Sequence, residues 1–458
     1  MRNVTQTTPQ TVTRIDKPRR EYLAGLVDSL LLIVARVGAN VLALVWTMLL
    51  VRLVQPSLSG IAFQAIAMAQ LFSILLTLNV ESGAVRTLVP AMREGRLDQA
   101  AGFIRFNRRI MLFSVPFLAM LALLWHGLFA APELSVRVIL FVALGAIMVA
   151  LARMTSRHAT ALGVMRKGLL PRLLMGPIVM TVGLGIVWLA DWRLQPWHVA
   201  ALYALSEALT VTVQHYLLRN DLGRFKDQPA NTEGWRNWLS LGLWLSPGLM
   251  MSEYRKALLI AASAIVLLPA QLSLFAIAFS IINIVNFGVV AVDVAFSPRI
   301  AHAMAGDDGA RRDRLLAVSS AIKLAGLSLG GGLLLGLGHW ILGWFGADYL
   351  AAWPAMMVLL LLPAGSILFG PASIVLSSRG QGRLDFTGNV IGATATILAV
   401  TLGGVMGDLT GAAVGAVIGH LVNLAIMAWL CRSRLGVDTT LLSLRHLRAA
   451  STNSGAPA

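Results

Sequence analysis

The sequence predicts an all-α polytopic membrane protein: about twelve transmembrane helices in two pseudo-symmetric six-helix lobes, with both termini cytoplasmic. Three observations predict it. Hydrophobic types make up 57% of the 458 residues and charged types 13%, about half the share usual in soluble domains. At about 20 residues per span, that apolar content supplies on the order of ten to thirteen helices. Next, thirty of the 37 Lys and Arg residues fall in alternate connections and in the tails, the bias that sets membrane orientation. Finally, a weak internal repeat relates the two halves.

Residues 1–22 are polar and basic, without the apolar centre and small-residue cleavage site of a signal peptide, and read as a cytoplasmic tail. Apolar runs then predict helices at 23–51, 58–80, 110–130, 137–156, 168–190 and 197–218, the N-lobe (23–218). A polar stretch, 219–237, links it to a C-lobe (238–436) with runs at 238–266, 270–296, 316–345, 352–377, 386–407 and 409–431. A second cytoplasmic tail, 437–458, closes the chain. Prolines at 116, 177, 247, 363 and 371 lie inside runs, where neighbouring helices satisfy the freed backbone groups.

Basic clusters assign the sides: Arg86 to Arg109 after helix two, and Arg153, Arg157, Arg166, Lys167 and Arg172 around the fourth turn. Further clusters are Arg219 to Arg236, Arg299 to Arg314, Arg379 with Arg383, and Arg432 onward. Only Arg52, Arg137 and Arg193 fall in turns on the other side. Trp188, Trp192, Trp197, Trp340, Trp344 and Trp353 lie near the outer ends and Trp235, Trp238 and Trp429 near the inner ends, as in aromatic belts. The net charge of +16 therefore reflects orientation, not a nucleic-acid partner. The single cysteine, Cys431, excludes an intrachain disulfide and a cysteine-ligated metal cluster.

The repeat rests on pairs at near-constant offset: Leu58-Ser59 with Leu272-Ser273, Ala91-Met92 with Ala303-Met304, Gly163 and Arg166 with Gly380 and Arg383, and Arg219 with Arg432. Six helices per half place the symmetry axis along the membrane normal and the transport path between the lobes. Glycine rows Gly411-Gly415-Gly419 and Gly326-Gly330 predict close helix packing within a lobe. The stretch 91–109, with Phe103, Ile104 and Phe106 among basic residues, predicts an amphipathic segment on the inner membrane surface.

The run from Arg36 through Leu49-Leu50-Val51-Arg52-Leu53-Val54-Gln55-Pro56-Ser57-Leu58-Ser59-Gly60 resembles the opening of polysaccharide-unit (Wzx-type) flippases. So do Leu88-Val89-Pro90-Ala91-Met92-Arg93-Glu94-Gly95 and Ser297-Pro298-Arg299-Ile300. These belong to the multidrug/oligosaccharidyl-lipid/polysaccharide exporter superfamily. The resemblance covers roughly residues 23–436. It implies a central cavity between the lobes and a bacterial inner-membrane location. The implied activity moves an undecaprenyl-diphosphate-linked oligosaccharide to the outer leaflet by alternating access. The implied partners are that substrate, membrane lipids, and the polysaccharide polymerase and chain-length machinery. No cofactor is implied beyond an H+ or Na+ coupling ion.

Once the charges assigned to the turns and tails are set aside, four basic residues remain: Arg36, Arg255, Lys256 and Lys323. An intramembrane charge costs a few kcal/mol or more unless it faces a cavity or a partner. Fixed cations along the path would offset desolvation of a diphosphate, making these four the substrate-binding candidates. A bland reading stands beside it: Glu253 neutralises Arg255 and Lys256, Arg36 pairs with Asp28 or Glu207, and Lys323 snorkels. Glu81 and Asp293 coincide under the repeat, as do Glu207 and His420. With Glu253 these are the gate or coupling candidates, set against plain helix-end pairs and helix-tying hydrogen bonds.

No Gly-x-x-x-x-Gly-Lys-Ser/Thr or His-Glu-x-x-His run is present, so no P-loop or zincin chemistry is expected, and no catalytic or metal site. A membrane polymerase or glycosyltransferase would carry a large external loop. A multidrug and toxin exporter taking cations would be lined by acids, whereas here the intramembrane excess is basic. A lipid II flippase would add two helices after residue 436.

Overall fold

The computed structural model describes residues 16–128, 135–305, 309–379 and 381–441, so 1–15 and 442–458 of the two expected tails lie outside them. Every regular element among these residues is helical. The first half contains α1 (Asp16–Leu53), α2 (Pro56–Thr77), a 3₁₀ turn η1 (Val80–Gly83), α3 (Ala84–Arg93), α4 (Leu97–Leu128), α5 (Val136–Ala161), α6 (Met165–Leu189) and α7 (Pro196–Gly223). The second contains α8 (Trp235–Ser252), α9 (Arg255–Ser263), α10 (Pro269–Ala305), α11 (Gly309–Gly343), η2 (Ala347–Ala352), α12 (Trp353–Leu359), α13 (Leu361–Phe369), α14 (Ala372–Ser378) and α15 (Gly382–Leu435). Eight stretches are long and apolar enough to cross a bilayer.

The longest element, α15, is two arms. Gly407 (φ −151°) and Asp408 (φ 49°) leave helical backbone, and the chain reverses there, between the predicted runs. The glycine row then sets the closeness of the arms. A Cβ on Gly411 would strike the Gly403 carbonyl, one on Gly415 the Ala399 carbonyl, and one on Gly419 the Thr396 backbone. Packing within one half is therefore what this row does. Of the other row, Gly330 lies against Val285 and Gly326 has nothing near it.

The core is continuous at one end and divided at the other. Leu50, Val51, Phe63 and Ile66 of the first half share a cluster with Phe275, Ile277, Phe279 and Leu359 of the second. That shared end also carries the Arg52 hydrogen bond to the Trp344 carbonyl (2.6 Å) and the buried Ser59–Ser273 hydroxyl contact (2.8 Å). At the arginine-rich end the clusters are smaller and distinct, and α8 of the second half packs into that of the first. One joins Val80, Leu88, Phe103 and Ile104 to Trp238, and another joins Ile300, Leu316, Val375 and Cys431.

Two expectations change. Phe103 and Ile104 are buried beneath Trp238, with Phe106 against Trp235. The apolar face of 97–109 therefore meets the protein, not the membrane surface, because the connection between the halves folds onto it. Arg105 clamps that connection by donating to the carbonyls of Lys226 (2.8 Å) and Gln228 (2.5 Å). After Gly436 the chain is also held rather than trailing: Val437 and Thr439 are buried, and the Thr439 hydroxyl donates to the Phe369 carbonyl (2.9 Å) at the α13–α14 break.

Candidate functional site

Helix seven of the sequence map is broken. α8 stops at Ser252 and α9 starts at Arg255, with Tyr254 at φ −112°, ψ 16°. No glycine or proline sits at the break, and Glu and Lys are good helix formers. Tertiary contacts therefore override local propensity. In an unbroken helix, residues 253 and 256 would lie on one face. Here they part. Glu253 reaches the first half, with Oε1 2.6 Å from Arg157 Nη2 and Oε2 3.7 Å from Arg172 Nη2. The Tyr254 hydroxyl accepts from Arg172 (3.3 Å), and its ring lies 5.7 Å from the Arg153 guanidinium carbon. Arg255 and Lys256 turn to the second half. Arg255 Nη1 donates to His420 Nε2 (2.9 Å), and Lys256 donates to Ser280 Oγ (2.8 Å). A guanidinium can only donate, so the ring nitrogen facing it accepts. Ser366 Oγ lies 3.1 Å from the same nitrogen.

Below the break, the first half carries a buried ion pair. Arg153 on α5 and Glu81 on η1 meet at 2.6 Å, with both side chains fully buried. The guanidinium also donates to the Ser73 carbonyl (2.9 Å) and Thr77 Oγ1 (2.6 Å), satisfying the last turn of α2. The local backbone is shaped for this. Leu78 and Asn79 both take left-handed φ, 48° and 55°, conformations that cost of order 1–3 kcal/mol each in non-glycine residues. The reversal is held by the Ser82 hydroxyl on Asn79 Oδ1 (2.6 Å), and it carries Glu81 under Arg153.

The remaining candidates separate. Lys323 is buried and bonded to Asp293 at 2.7 Å, so it is paired rather than snorkelling. Glu81 and Asp293, matched by the repeat, therefore pair with Arg153 and Lys323, not with Arg86 and Arg299. Glu207 on α7 faces Arg172 and Tyr203, away from its repeat mate His420. Arg36 is exposed on α1 with no side-chain partner among the described residues.

The charges therefore balance unevenly. Glu81, Glu253 and Asp293 each pair with an arginine or lysine, while buried Asp385 rests on the Ser373 hydroxyl (2.6 Å). Arg36, Arg255 and Lys256 face no carboxylate among the described residues. Arg153, Arg157, Arg172 and Tyr254 are the residues that sequence reasoning missed. Arg153 and Arg172 fall within the predicted runs 137–156 and 168–190, and that signal was available.

No protein family and no curated protein matches the sequence. Among solved structures, the chain is similar to an inward-facing multidrug resistance MATE family transporter of the MOP superfamily, with a TM-score of 0.68 at 12% identity. That likeness covers 93% of this chain and 100% of the other. It is also similar to the lipid II flippase MurJ in an inward closed conformation, with a TM-score of 0.63 at 12% identity over 94% of each chain. The fold is that of the MOP-superfamily transporters. An outward-facing MATE transporter matches less well, at a TM-score of 0.56 and 14% identity over 89% of this chain and 94% of the other. The break between α8 and α9 thus lies within a fold shared with these solved structures.

Proposed function

We propose that this protein is a flippase that moves an undecaprenyl-diphosphate-linked oligosaccharide from the cytoplasmic to the outer leaflet of a bacterial inner membrane by alternating access. The observation that carries this reading is the cation excess. Once Glu81, Glu253 and Asp293 are matched to their cationic partners, Arg36, Arg255 and Lys256 remain on α1 and α9 with no carboxylate partner among the described residues. A cavity keeping unneutralised cations suits an anionic cargo, and guanidinium and ammonium groups suit a diphosphate. A cation exporter of the MATE kind would need free acids, and Glu81, Glu253 and Asp293 are already paired. A lipid II flippase shares the lipid diphosphate and is separated by its headgroup.

On this reading the chain has twelve spans in two lobes with both termini cytoplasmic, α8 with α9 and the two arms of α15 each counted as spans. The contact between Ser59 and Ser273 supports the repeat, because equivalent positions touch where a two-fold axis passes. The shared core closes the outer side, while on the inner side α10, α11, α14 and α15 form a cluster of their own and α8 crosses to the first half. Exposed Leu31, Ile33, Val34 and Val37 on α1 and Ile284 on α10 fit an opening toward the inner leaflet. Polysaccharide polymerase and chain-length proteins are its proposed partners.

The test is export in cells carrying Arg255→Ala with Lys256→Ala. The expected result is normal insertion with polymer export reduced about tenfold or more, the scale of a lost charge-assisted contact. Full export would sink the cationic-path reading.

A further inference from the structure

A carboxylate placed across two arginines looks like a ligand. Glu253 puts one oxygen on Arg157 and the other toward Arg172, and those arginines come from different helices, α5 and α6. The group is not packed away: Arg157 is 33%, Arg172 24% and Glu253 36% exposed. Charges of this kind within a bundle line an open space. The arginines also have donors to spare. Each guanidinium has five N–H groups. Arg157 uses Nη2 on Glu253, while its Nε is buried without an acceptor. Arg172 shares one nitrogen between Glu253 and Tyr254. One carboxylate with two oxygens leaves this donor set underused. A diphosphate, with more oxygens and at least two negative charges, would fill it.

We propose that Arg157 and Arg172 form a binding site for the diphosphate of the lipid-linked cargo, and that Glu253 occupies this site as an internal stand-in when cargo is absent. The inference rests on the reading above that the cargo carries a diphosphate. The exchange has a mechanical consequence. The run from Glu253 to Lys256 is tied to the first half through Glu253 and Tyr254 and to the second through Arg255 and Lys256. A diphosphate that displaces Glu253 removes an ionic tie between the halves at the moment of binding. Cargo arrival and lobe movement are thereby linked through one side chain. The empty site stays half-neutralised, one carboxylate against two guanidinium groups, which avoids the cost of leaving both bare inside the bundle.

The experiment measures binding of undecaprenyl diphosphate to the full-length protein in lipid nanodiscs, with inorganic pyrophosphate as competitor. Arg157→Gln and Arg172→Gln are each expected to weaken binding about tenfold or more. Glu253→Gln is expected to tighten it, because a neutral amide competes poorly for the arginines. Opposite signs are the signature. Arg157→Gln and Glu253→Gln break the same tie, so a purely structural role would move both in one direction, and that result overturns the site. Unchanged binding in both arginine variants, alongside a wild type that binds, overturns it as well while leaving the flippase reading intact. A wild type that binds no undecaprenyl diphosphate fails the flippase reading itself and the inference with it. Pyrophosphate is expected to compete only in large excess, and equal affinity for it overturns the lipid source. Arg157→Lys keeps the charge without the fork and is expected to fall between wild type and Arg157→Gln.

Discussion

At the scale of single residues, the same chemistry is put to two uses. Arg153 and Glu81 are sealed from solvent, and the guanidinium is bonded to Glu81, the Ser73 carbonyl and the Thr77 hydroxyl, an arrangement that fixes structure. Arg255 and Lys256 are only partly buried and rest on neutral partners, an arrangement that leaves charge available. Removing one partner of a buried pair strands the other, at a cost of about 3–5 kcal/mol. Glu81→Gln and Arg153→Met should each lower stability by that amount in fluorescence-detected melting, and the double replacement Glu81→Leu/Arg153→Met by much less than their sum. Additive losses would contradict the pairing. The sequence exposed Arg36, Arg255, Lys256 and Lys323 because they interrupt long apolar runs. It hid Arg153, Arg157 and Arg172 because they lie near basic turns. Their partners, Glu81, Glu253 and Tyr254, are 72 to 101 positions away, and no local window joins them.

At the scale of elements, the positions of helices were readable and their breaks were not all so. The reversal at Gly407–Asp408 falls between two predicted runs, since a glycine-rich join between apolar stretches is a local signal. The break at Glu253–Tyr254 has no such signal, because opposing ties to the two halves impose it. The break at Gly370 has a partial one: Gly370 takes φ 69° before Pro371, but the Thr439 contact that fills it comes from the far end of the chain. The α15 arms give a sharp prediction. Gly411→Leu should abolish a monodisperse folded protein in detergent, because its Cβ would meet the Gly403 carbonyl. Gly326→Leu, with open space around it, should leave yield and chromatographic profile unchanged. Equal behaviour of the two would contradict the packing assigned to the row. The docked connection is a further lesson. Composition alone read 219–237 as a polar linker, yet Arg105 and Trp238 fasten most of it to the first half.

For the whole molecule, the core shared by the two halves makes the meeting of α2 and α10 the contact that must part for the outer side to open. Ser59 and Ser273 touch across that contact, hydroxyl to hydroxyl at 2.8 Å. In a background with Cys431→Ser, the pair Ser59→Cys/Ser273→Cys should cross-link on oxidation, stop transport, and recover it with reductant. Transport by the fully cross-linked protein would contradict the parting of this contact. The fold class was legible because composition and charge placement act over the entire chain, whereas cargo depends on which charges keep no partner. The claim that the cargo is a lipid-linked oligosaccharide has a direct test. The protein is depleted in its host, and lipid-linked oligosaccharide in spheroplasts is challenged with a membrane-impermeant glycosidase. The account predicts an intermediate that accumulates and resists the enzyme, held in the inner leaflet. An intermediate that is absent or readily digested would contradict it.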